Sequence, residues 1–184
     1  MKTKAILGIS FTAVFAVSML GVAFASPLWA TVTDSDDDTK GKITILSVET
    51  SDVIPKRADD FVIANAVVGF GWAHFVSGTP DTFELVVATI HPTLGRDSHQ
   101  NPDAWHVHTA TLDDSLECVL TLDSTPEAGV SINQNSMSVR INNADLPSGF
   151  SVDAATGFAL NGDGGCPDVP GLGFGVGVTL LPDA

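Results

Sequence analysis

Basic residues are scarce: the 184-residue chain carries 8 Lys and Arg against 22 Asp and Glu, a formal charge of −14. That balance excludes a nucleic-acid binder, because holding a phosphate backbone takes clustered cations. Catalytic signatures are missing too. There is no His-Glu-x-x-His, no Gly-x-Ser-x-Gly and no phosphate-binding glycine loop. The paired acids Asp59-Asp60 and Asp113-Asp114 would leave opposite faces of a strand, which makes them poor acid/base partners. Asn161-Gly162-Asp163-Gly164-Gly165 lacks the spaced acids and final Glu of an EF-hand, so a turn accounts for it. Beyond residue 25 there is no Asn-x-Ser/Thr acceptor and no apolar run of membrane length. Helical periodicity is almost absent as well.

What remains is apolar enough to fold. Hydrophobic residues make up 44% of the chain, with 10 Phe and 3 Trp, which excludes a disordered chain. The length suits one domain.

The first 25 residues read as an export signal. Lys2 and Lys4 precede an apolar run from Ala5 to Phe24, and Ala23-Phe24-Ala25 forms a small-x-small cleavage pattern before Ser26. No Cys marks a lipid anchor and no twin Arg is present, so the general secretory route is expected. Loss of Lys2 and Lys4 with the leader takes the formal charge from −14 to −16. Such a charge favours a soluble secreted protein, with no membrane insertion after signal cleavage and repulsion from anionic lipid. Residues 26–42 carry Asp34, Asp36, Asp37 and Asp38 without apolar periodicity, and read as a flexible acidic leader. The folded domain is expected over 43–184.

Two cysteines, Cys118 and Cys166, predict one disulfide in an exported chain. It would close a loop of about 49 residues and contribute roughly 4 kcal/mol. A copper-ligating thiolate is the alternative. It needs a His shortly after the Cys, and no His follows Cys118.

From Ile43 onward, alternation dominates. Strands are expected at Ile43–Val48, from Val67 to Val76, over Phe83–His91 up to Pro92, and over Trp105–Leu112. Further ones follow at Leu116–Leu122, Val130–Ile132, Met137–Ile141, Phe150–Val152 and Phe158–Leu160. The last runs through Leu172, Phe174, Val176, Val178 and Leu180, with Gly171, Gly173, Gly175 and Gly177 on its other side. A bare glycine face suggests close approach to the backbone, expected as a neighbouring aromatic ring or a strongly bent barrel stave, with a ligand groove as the alternative. Short strands separated by Asn, Asp, Gly and Pro turns indicate an all-β fold, a single antiparallel β-sandwich or barrel-like domain.

All five histidines fall between residues 74 and 108. His106 and His108 are two apart on a strand and leave one face, while Trp105 and Val107 pack on the other. If the preceding strand pairs as a hairpin, His91 comes opposite the His106–His108 end. His99 and Asp97 then lie in the connecting loop. Imidazole nitrogens are preferred ligands for Cu and Zn, and three or four convergent ones complete a site. His74 shares parity with Phe70 and Trp72, and is a candidate fourth ligand or supporting partner. The bland reading is a solvated or turn-bonded set of histidines on a long loop held by its own Asp, Arg and Asn-Pro chemistry.

Trp105-His106-Val107-His108 resembles the His-x-His strand of the copper–zinc superoxide dismutases. The further His and Asp that family uses downstream have no counterpart after His108. A strand followed by a His-x-His strand also resembles the secreted chordin-type β domain, whose glycine-rich continuation is missing here. Neither resemblance assigns a residue.

The reading drawn from the sequence is an exported acidic β-domain that binds a Cu or Zn ion for capture or delivery outside the cytoplasm. His91, His106 and His108 are the expected direct ligands, with His99 or Asp97 closing the site. An adhesion or envelope module that docks an extracellular protein partner is the alternative, and a metallo-enzyme using the same histidines is the third.

Overall fold

The computed structural model describes residues 31–57, 67–90, 104–124, 126–162 and 165–181. Ten antiparallel strands run through them: β1 (Val32–Lys40), β2 (Ile43–Thr50), β3 (Val67–Val76), β4 (Thr82–Ile90), β5 (His106–Asp113), β6 (Val119–Ser124), β7 (Ala128–Asn133), β8 (Ser136–Asn142), β9 (Ala154–Gly162) and β10 (Val176–Leu180). They form a four-stranded sheet, β1-β2-β8-β7, and a six-stranded sheet, β10-β9-β3-β4-β5-β6. This is the all-β sandwich with barrel-like curl that the alternation implies. No helix among the described residues is long and apolar enough to cross a membrane.

Alternation sorts the side chains. In β2 and β8, Leu46, Val48, Met137, Val139 and Ile141 are buried. They meet Phe70, Trp72, Val86, Ala88, Ile90 and Val107 from β3, β4 and β5, together with Trp105 just before β5. This is the layer between the sheets. Trp72 donates its indole N–H to the Ser47 carbonyl at 3.3 Å, so its one polar atom does not go unpaired inside the core.

The six-stranded sheet is apolar on its other face as well. Leu85, Val87, Leu112 and Phe158 are buried there, with Phe83, Leu160 and Val178 packed against them. That face is covered because the sheet curls until its edges touch. Cys118 bridges Gly177, and the Val178 N–H donates to the Glu117 carbonyl at 2.8 Å. Followed by register, Val178 leads through Leu160 to Val67, whereas Val119 leads through Leu112 and Phe83 to Phe75. The meeting edges are therefore offset by nearly the length of β3, which is the kind of stagger barrel closure needs.

The seam is stapled. Cys118 and Cys166 form the expected disulfide, with Cα atoms 5.5 Å apart. Such a bond suits folding outside a reducing cytosol. Asp113 organises the turn beside it. Its Oδ1 accepts from the Glu117 and Cys118 N–H groups at 2.9 and 3.0 Å, and its Oδ2 from the Ser115 hydroxyl at 2.7 Å. Asp113→Ala is expected to cost about 1–2 kcal/mol, by analogy with loss of a helix cap, with partial recovery in Asp113→Asn. Denaturant unfolding of the three proteins checks it.

Three expectations need correction. Residues 32–40, read as part of a flexible acidic leader, form β1, paired along its length with β2. Main-chain hydrogen bonds do not depend on side-chain polarity. Val32 packs on the core, and Gly41 at φ 65° permits the reversal into β2. The aspartates stay on an exposed edge, where charge discourages further strand pairing. Phe150–Val152 is not a strand. It lies in a loop after a short 3-10 turn (Asn143–Asp145), held down as Phe150 and Val152 pack on the core. The final strand starts only at Val176, because Gly171 and Gly173 take positive φ and turn the chain, leaving Leu172 and Phe174 exposed. The expected bare-glycine packing is found instead on β3, where the Phe158 ring lies against Gly69 and Gly71.

Candidate functional site

The β4–β5 hairpin forms in the expected register: Thr89 is opposite His106, and Val87 opposite His108. Trp105 and Val107 turn into the layer between the sheets. The Trp105 ring stacks on Phe70 at 5.8 Å, and its N–H donates to the Pro55 carbonyl at 2.7 Å. With that side anchored, His106 and His108 must both emerge on the inner face of the curled sheet. Their ring centroids are 4.9 Å apart with planes at 84°.

Each imidazole is held differently. His108 is buried at 5% exposure, while His106 is half-buried. His106 Nδ1 lies 3.0 Å from the Ala104 carbonyl oxygen. A carbonyl can only accept, so this contact places the ring proton on Nδ1 and leaves the lone pair of the neutral ring on Nε2. Thr89 Oγ1, on a residue only 2% exposed, lies 3.4 Å from that nitrogen. A histidine that gives one N–H to a backbone carbonyl and keeps the other nitrogen for coordination is the usual arrangement around bound metals.

His91, Asp97 and His99 lie outside the described residues. His74 is described, and it does not join the pair. It stands opposite Glu84, which stands opposite Thr111, and that row faces the other sheet. Five residues of strand, about 17 Å, separate it from the His106 row as well. Its Nδ1 lies 3.1 Å from Asp153 Oδ2 and 3.2 Å from Ser151 Oγ, and its ring meets Phe150 edge-on at 5.9 Å. Asp153 Oδ2 also accepts from the Phe75 N–H at 2.9 Å. His74 therefore ties the 150–153 loop to β3. Equal parity with Phe70 and Trp72 put it on the face opposite His106, a consequence visible only once the β3–β4–β5 register is known.

Among the described residues, no three His, Cys, Asp or Glu side chains converge as a metal-holding group. An acid-lined cleft of about 390 Å³ opens between the six-stranded sheet and the turn at 145–147, beside Glu84, Asp123 and Asp145, and it too lacks such convergence. Thr89 is the site residue that sequence reasoning left unassigned. Its shared parity with Val87 and His91 was visible, but its place beside His106 depends on the hairpin register. Compared with known proteins, the chain matches no family model, no curated protein and no solved structure.

Proposed function

We propose that the protein is an exported metal-capture or delivery domain that binds a Cu or Zn ion through His106 and His108. The observation that carries this reading is the pair itself: two imidazoles 4.9 Å apart on one strand face, one with its Nδ1 proton already committed to a backbone carbonyl. Two ligands do not complete a transition-metal site. The segment that joins β4 to β5 supplies His91 at its start, with His99 or Asp97 beyond it, as the remaining ligands. The signal-like first 25 residues and the disulfide support an extracytoplasmic role.

Protons and metal compete for the same imidazole lone pair. Zinc or copper loading is therefore expected to be near one ion per chain at pH 7.5 and largely lost by pH 5. Titration of the wild type and a His106→Ala/His108→Ala double variant across that range tests the reading. Loading that is equal in both proteins, or unchanged with pH, contradicts it.

A second reading is an extracellular docking module. Leu172 and Phe174 favour it, since they stand 38% and 45% exposed on the turn after the disulfide. It predicts a metal-free protein that associates with itself or a partner through that turn, and Leu172→Ser/Phe174→Ser would abolish the association.

A further inference from the structure

We propose that β7 is the edge through which two copies of this chain join, strand to strand, into a two-fold dimer. The inference goes beyond both readings above, and needs neither the histidines nor the Leu172–Phe174 turn.

A free sheet edge offers unpaired N–H and C=O groups to any other strand, and folded proteins usually guard it with charge, proline or a bulge. In the six-stranded sheet the edges β6 and β10 meet at the disulfide seam. In the four-stranded sheet the edges are β1 and β7. β1 carries Asp34, Asp36, Asp37 and Asp38, so pairing with its own copy would set carboxylate against carboxylate. β7 reads Ala-Gly-Val-Ser-Ile-Asn, with no charge and no proline, and runs beside β8 without a bulge. Among the described residues, no main-chain hydrogen bond reaches its outer edge. Its side chains suit its own copy. Antiparallel self-pairing keeps Val130 and Ile132 on the core side of both sheets, and the exposed Gly129, Ser131 and Asn133 on the outside. Two four-stranded sheets then become one continuous sheet. The occupant is a second copy because β7 is its own complement, and a molecule with one competent edge closes as a pair rather than growing into a filament. At a formal charge of −14, an uncharged strand is also the least costly place for like molecules to meet.

The test is sedimentation velocity of the exported protein from about 5 to 500 µM, a range suited to a small interface, with EDTA present so that metal bridging plays no part. Wild type, Ser131→Lys, Gly129→Glu and Leu172→Ser/Phe174→Ser are compared, with circular dichroism to confirm the fold. The monomer should tolerate Gly129→Glu, since a Cβ there meets nothing within 4 Å and Arg140 lies opposite. Wild type should form a reversible dimer that tightens as salt rises from about 20 to 500 mM, because screening relieves the repulsion between like-charged molecules. Both β7 variants should weaken the dimer at least about tenfold. They add opposite charges, so a change in net charge alone would move them in opposite directions. The turn variant should dimerise like wild type. A wild type that stays monomeric throughout, a dimer that loosens with salt, or one that Ser131→Lys and Gly129→Glu leave intact overturns the proposal.

Discussion

Gly69→Ala should destabilise the protein by about 3 kcal/mol, although glycine to alanine in a strand is normally favourable or neutral. A Cβ at position 69 would overlap the Ala88 carbonyl oxygen and stand 2.7 Å from Phe158 Cζ. The phenyl ring can swing, but the carbonyl belongs to β4, the strand paired with β3, and cannot move without breaking the ladder. Gly71 is the internal control. A Cβ there would find its nearest atom at 3.4 Å, an ordinary contact, so Gly71→Ala should change stability by less than about 1 kcal/mol. Phe158→Leu should not rescue Gly69→Ala, because the backbone conflict persists. Urea unfolding followed by tryptophan emission decides it. Equal stability of the two alanine variants would refute the packing described for the inner face.

Removing the disulfide is the second large effect. Cys118→Ala/Cys166→Ala is expected to lose about 4 kcal/mol, the loop-entropy cost of releasing a 48-residue separation. For a domain of this size that lowers the thermal midpoint by roughly 8–16 °C. The loss should be cooperative with the seam. Cys118 bridges Gly177, and the neighbouring Glu117 carbonyl accepts from Val178, so both contacts close the curled sheet where the bond is made. Calorimetry of the variant, and of the wild type with reductant, should give similar shifts. A midpoint within about 2 °C of the oxidised wild type would mean that the strand pairing alone closes the seam.

How much of this was legible in the chain follows from which interactions leave a trace in side-chain pattern. Val67–Val76 and the two arms of the β4–β5 hairpin announce themselves through the alternation of their large side chains, although the curl of the sheet buries both faces of β3 and β4 over much of their length. The Cys118–Cys166 pairing was equally open, since no other cysteine is available. β1 was hidden. Asp34, Asp36 and Asp37 are exposed, and what makes this segment a strand is main-chain pairing to β2, which polarity does not report. Phe150 and Val152 misled in the opposite sense, since apolar loop residues can cover a core without any ladder. The Leu172–Leu180 alternation was read as one strand, but positive φ at Gly171 and Gly173 spends two of those glycines on a turn.

The candidate site was legible in part. His106 and His108 share a face because two residues of strand always do. Their orientation toward the inside of a curl, the separation of His74, and the Thr89 contact all depend on register and on sheet closure. Those are long-range properties, set by which strand pairs with which, and no local pattern encodes them.

The most direct test of the central claim is the metal content of the untagged exported protein, purified without chelators, equilibrated with zinc and copper, desalted at pH 7.5, and analysed by elemental mass spectrometry. The account predicts close to one zinc or copper ion per chain, falling to background in His106→Ala/His108→Ala of unchanged fold. A wild-type protein that retains no metal after desalting would contradict it. The two histidines would then be packing side chains inside a curled sheet, His106 tied to the Ala104 carbonyl.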